Sequence, residues 1–137
     1  MKLRDVLLTA VDRMTVENWT TGDVFDGNGC RCALGHMAEI IGLPMQTVED
    51  EVGVYNFFDE IDVSLGAMIY RVNDDSRGHK MDKAKRLELV KADLRELAKD
   101  PVFDAEVPAV APEPFDFDGE FDRIAAENAD TIEYLAR

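Results

Sequence analysis

Apolar residues recur at three- and four-residue spacings along most of this chain, the signature of amphipathic helices. Leu3, Val6, Leu7, Ala10, Val11 and Met14 form one stripe, predicting a helix over residues 2–17. Ala33, Leu34, Met37, Ala38 and Ile41 form a second over 32–41, stopped by Gly42 with Pro44 beyond it. A shorter helix is expected over 45–54, with Val48 and Val52 inward, followed by an aromatic turn at 55–61 holding Tyr55, Phe57 and Phe58. Asp62 is placed to cap a helix over 63–72 with Leu65, Met68, Ile69 and Val72 on its apolar side. Residues 73–79 break it. The longest stripe, Ala84, Leu87, Val90, Leu94 and Leu97, predicts a helix over 81–99. Pro101, Pro108, Pro112 and Pro114 forbid a helix across 101–119, and Phe121, Ile124, Ala125, Ile132 and Leu135 suit a final helix over 120–137. No pair of alternating strands and no internal repeat stands out. The fold expected is mainly α: a compact bundle of about five helices in residues 1–100, then an acidic linker and C-terminal helix in 101–137.

Two loop features matter to that bundle. Residues 18–29 carry Gly22, Gly27, Asn28 and Gly29 around Trp19, the only tryptophan. Its commoner use is to anchor such a loop in the core, with the indole N–H finding a partner; stacking on a ligand is the rarer one. Residues 23–29 faintly suggest a calcium loop but lack the alternating oxygen ligands and closing glutamate of an EF-hand. Gly35, inside a helix, costs about 1 kcal/mol relative to alanine, so close approach of a neighbouring helix is expected there.

With 137 residues and 46% hydrophobic content, the chain can bury a real core. No apolar run reaches the ~20 residues of a membrane span, and no secretory leader is expected. Cys30 and Cys32 are too close in sequence for a good disulfide and are read as thiols of a reducing cytosol. The net charge is −14, and residues 101–137, with ten acidic and two basic side chains, hold −8 of it. Such a surface repels nucleic-acid phosphates and anionic membranes and favours basic partners, although acidity also serves plain solubility.

Two sets of residues can carry chemistry. Cys30, Cys32, His36 and His79 are the right types for tetrahedral zinc, and Cys32 and His36 share a helical face at i and i+4; the Cys-x-Cys spacing is tighter than that of zinc fingers. Cys32 also stands at a helix N-terminus, where the dipole lowers a thiol pKa. With His79, or less favourably His36, as base and Asn73 or Asp74 as orienting group, it forms the outline of a nucleophilic triad. Against both stands the ordinary buried cysteine, packed as a small hydrophobe. Asn73 and Asp74 are read first as a helix stop that bonds the loop backbone, and second as ligand-binding groups near Trp19 and Cys32.

The order Trp19-x-x-Gly22, then Cys30-Arg31-Cys32-Ala33-Leu34-Gly35, then Asn73-Asp74 before a long helix, resembles a family of small domains of unknown function from actinobacteria and their phages. The likeness covers about residues 1–98. His36 stands where that family usually has alanine, which argues against a shared role for it. The resemblance implies a compact helical domain in a bacterial or host cytoplasm and no reaction.

The function expected is therefore that of a non-enzymatic interaction protein, without cofactor, metal, membrane or direct nucleic-acid binding. Its partner would be a host protein of basic character, and DNA mimicry is one version. The alternative is a small cysteine-dependent enzyme or a Cys/His zinc domain.

Overall fold

The computed structural model describes residues 1–75 and 80–110. Among them are five α-helices and one 3₁₀ turn, with isolated β-bridges and no named strand: α1 (Leu3–Arg13), α2 (Ala33–Ile41), α3 (Val48–Ile61), α4 (Leu65–Asn73), α5 (Lys83–Leu97) and the 3₁₀ turn Pro101–Asp104. The fold is mainly α. His79, the part of the expected linker from 111 to 119 and the C-terminal helix expected over 120–137 lie outside the described residues.

α2 is the hub. It packs against α1, α3 and α4, while α5 closes the far side against α1 and α4. Six successive residues of α2, Ala33 through Ala38, are buried. A helix apolar all round needs neighbours on every side. Gly42, in the left-handed region at φ 94°, ends α2 where the sequence expects it: the amide of Gly42 donates to the Ala38 and Glu39 carbonyls, and that of Leu43 to Ala38.

α3 differs from the sequence reading. It is one helix where a short helix and an aromatic turn were expected, and Val54 and Phe58 face the core. Val48 and Val52 are 76% and 55% exposed. No glycine or proline interrupts 54–61, so the helix continues and the stripe Val54, Phe57, Phe58 and Ile61 sets its phase. Val48 and Val52 each lie about 120° around the axis from the residue six positions on. Thr47 and Asp50 start the helix with a reciprocal capping box. The next start also moves. Ser64, at φ 67°, is the N-cap of α4, Asp62 instead closes α3, and Val63 is 82% exposed outside any helix. In α5, Asp82 caps the first turn through the Lys85 amide, and Ala84 is exposed rather than inward.

The segment read as the start of a linker packs on the core. Asp100 caps the 3₁₀ turn, Pro101 takes its first position, and Phe103 is fully buried. Beyond it the chain runs beside the N-terminus: Leu3 N–H donates to the Ala105 carbonyl at 2.8 Å and Val107 N–H to that of Met1 at 2.9 Å. Arg4 adds a hydrogen bond to the Ala98 carbonyl and an ion pair with Asp104.

Candidate functional site

Trp19, Cys32, Asn73 and Asp74, separated by up to 55 positions in the chain, meet at the N-terminus of α2. Asn73 is the link. It ends α4, is fully buried, and uses both ends of its amide. Its Oδ1 accepts from Trp19 Nε1 at 2.7 Å and from the Ala33 amide at 2.8 Å. Its Nδ2 donates to the Thr20 carbonyl at 3.1 Å and to Asp74 Oδ1 at 2.8 Å. Asp74 extends the clasp by accepting the Gly22 amide on Oδ2 at 2.9 Å. Helix starts leave N–H groups without intrahelical partners. Cys32 is the N-cap of α2 and makes no side-chain cap bond. Asn73, from another helix, satisfies the first of these amides.

The loop is thereby clamped from three sides. Trp19 is 1% exposed, with Arg86 of α5 over its ring at 6.0 Å. The Thr20 amide donates to Arg31 O and that of Arg31 to Asn18 O. The Cys32 amide donates to the Val24 carbonyl at 3.1 Å, and the Val24 amide to Glu51 of α3 at 3.0 Å. Gly35 is explained here, with a change of partner: the close neighbour is the loop backbone and not a helix. A Cβ on Gly35 would stand 2.1 Å from the Val24 carbonyl oxygen.

Each reactive candidate has a definite place. Cys32 is fully buried, and burial pushes its thiol up to about 12, against the smaller pull of the Gly35 and Leu34 backbone N–H groups. The lowered pKa expected from the helix N-terminus is overturned, because loss of water outweighs the dipole. Tyr70 is pushed up to about 12 and Tyr55 higher still, both chiefly by burial, so these neighbours also stay neutral near pH 7. Cys30 is half-buried, its thiol donating to the Glu17 carbonyl at 3.3 Å. His36, 3% exposed, donates from Nε2 to the Asn18 carbonyl at 3.1 Å, since a carbonyl can only accept. Its pKa is lowered, first by burial. Cys30 and His36 thus face the backbone of residues 17 and 18. Among the described residues, no group of three His, Cys, Asp or Glu side chains can hold a metal ion.

This geometry sets an expected labelling pattern. In the folded protein a thiol-specific reagent modifies Cys30 and spares Cys32, which reacts only after unfolding. Mass mapping of the alkylated peptides checks this; equal native-state labelling of Cys32 would contradict the buried assignment.

Sequence reasoning found Trp19, Cys32, Asn73 and Asp74 but missed Glu51, Arg86, Tyr55 and Tyr70. Glu51 is one of three acids in the first turn of α3 and carries no distinguishing local signal. Arg86 follows Lys83 and Lys85 and carries no local signal that sets it apart from them. No family model matches the chain, and comparison with characterised proteins and with solved structures returns no match, so what this site does rests on its own geometry.

Proposed function

We propose that the protein is a non-enzymatic interaction module whose acidic surface receives a protein partner of basic character, in a bacterial or phage-infected cytoplasm. One observation carries this reading: Trp19, Cys32 and Asn73 are engaged in holding the fold, while no aspartate or glutamate among the described residues is fully buried. Asn73 and Trp19 are consumed in the clasp, Cys32 is buried as a neutral thiol, and the sequence as a whole carries a net charge of −14. No helix among the described residues is long and apolar enough to cross a membrane. Electrostatic complementarity to a basic partner speeds encounter and sharpens selection.

The finer version is imitation of nucleic acid, with carboxylates in place of phosphates. It predicts that the immobilised full-length chain retains nucleic-acid-binding proteins at low salt, releases them at high salt, and is competed by DNA. Salt-insensitive retention would exclude mimicry. Retention of no basic protein at any salt would overturn the interaction reading itself. The alternative reading, a cysteine enzyme or zinc domain, gains no support from the described residues.

A further inference from the structure

Charge is segregated between two helices that do not touch. From Cys32 to Tyr70 the chain has seven acidic residues and no lysine or arginine. α3 carries five acidic residues and no basic one; α5 carries five basic and three acidic. α3 and α5 make no contact, with α4 touching both. Among the described residues no carboxylate of α3 forms an ion pair. The outer side of α3 is also where valines are exposed, Val48 at 76% and Val52 at 55%, one turn apart.

Beside Val48 lies a groove of about 500 Å³ between the 23–27 loop and the start of α3. Phe25, Met45 and Val48 supply its apolar lining, and Asp23, Asp26 and Glu51 supply its charge. Two of these acids are held by backbone. Glu51 accepts the Val24 amide, and Asp26 accepts the amides of Asn28 and Cys30 at 2.9 Å. Those two acids are therefore held in place, and every charged side chain lining the groove is acidic. Groups in such a setting bind with less ordering cost than mobile ones.

The geometry points to this groove and the adjoining Val48–Val52 face of α3 as the docking site for a cationic amphipathic segment of a partner protein. Its apolar side chains would lie on Phe25, Met45, Val48 and Val52, and its lysines or arginines would meet Asp23, Asp26, Glu49 and Glu51. Charge complementarity selects this occupant: the groove offers no basic group, so an acidic or purely apolar segment leaves its carboxylates desolvated and unpaired. A basic residue also lays an aliphatic stem along apolar surface while its head reaches the acids. The inference rests on the interaction reading above and adds the place and the partner's chemistry.

The test uses the full-length chain, ¹⁵N-labelled, titrated with a synthetic helical leucine/lysine amphipathic peptide. A leucine/glutamate counterpart and oligolysine serve as comparison ligands. The expected result is amide shifts centred on Phe25, Met45, Val48 and Val52 for the leucine/lysine peptide alone, weakened by salt. The double variant Val48→Ser, Val52→Ser should bind it about tenfold more weakly, as loss of central apolar anchors does. Both side chains are exposed, so its thermal midpoint should match the parent's. Shifts centred on residues 101–137, equal shifts with oligolysine, unweakened binding by the double variant, or self-association of the unliganded chain through this face would each overturn the groove. Shifts on the acidic tail would do so while leaving the interaction reading standing; failure to retain any basic protein removes that reading instead.

Discussion

Replacing Asn73 by alanine is expected to cost about 2–6 kcal/mol, because two buried donors, Trp19 Nε1 and the Ala33 amide, lose their shared acceptor at about 1–3 kcal/mol each. Domains of this size have only about 5–15 kcal/mol in total, so the variant should lose a large share of its stability. The released Thr20 carbonyl and Asp74 carboxylate add to the loss, since Asn73 Nδ2 serves both. Chemical denaturation followed by Trp19 fluorescence reads the effect directly, as there is no other tryptophan. Asn73→Asp is the sharper comparison. It keeps an acceptor for both donors but loses the two donated bonds and sets a second carboxylate against Asp74. It should therefore be destabilised too, increasingly as pH rises and the new carboxyl ionises. A near-native midpoint for Asn73→Ala would show that the clasp holds nothing together.

The second large effect concerns Gly35, where Gly35→Ala should destabilise by about 3 kcal/mol, the upper end for overpacking. In a helix interior alanine normally gains about 1 kcal/mol over glycine. Here the new methyl would stand 2.1 Å from the Val24 carbonyl oxygen and 2.9 Å from Arg31 Cβ. Backbone cannot step aside as a side-chain tip can, so the contact outweighs the propensity. Relief requires α2 to move away from the loop, which breaks the Cys32 to Val24 hydrogen bond as well. Gly53 in α3 supplies the opposite sign: nothing lies within 4 Å of its added Cβ, so Gly53→Ala should stabilise by about 1 kcal/mol. Denaturation midpoints of the two variants, measured side by side, decide between close packing and simple helix propensity.

The helices that could be read from the chain are those whose stripe is long and unambiguous. α2 falls where its apolar spacing places it, and Gly42 stops it by taking the left-handed conformation, while α1 starts as expected but ends at Arg13 rather than residue 17, with Met14 already extended. α3 was misphased because two valines near its start suggest a short stripe, whereas the aromatics that follow set the face. Ser64 carries a positive φ that its residue type does not announce. Trp19, Cys32, Asn73 and Asp74 were visible as a group, but only the fold shows that the Asn73 amide ties Trp19 and Asp74 to the start of α2, just after Cys32. The same is true of the thiol. A helix N-terminus is legible in sequence, and the burial that overrides its dipole is not. The 101–107 segment looked like a linker because Pro101 and Pro108 bracket it; Phe103 and the hydrogen bonds to Met1 and Leu3 fix it through contacts across the whole chain.

Joining Trp19, the loop and the start of α2 through Asn73 is the feature that closes the core over Cys32. Native-state hydrogen exchange at the Trp19 indole N–H and the Ala33 amide tests it most directly. Both protons should exchange only through global unfolding, with free energies equal to each other and to that from denaturation. Exchange of either at the rate of an unprotected group, in a protein otherwise folded, would contradict the clasp.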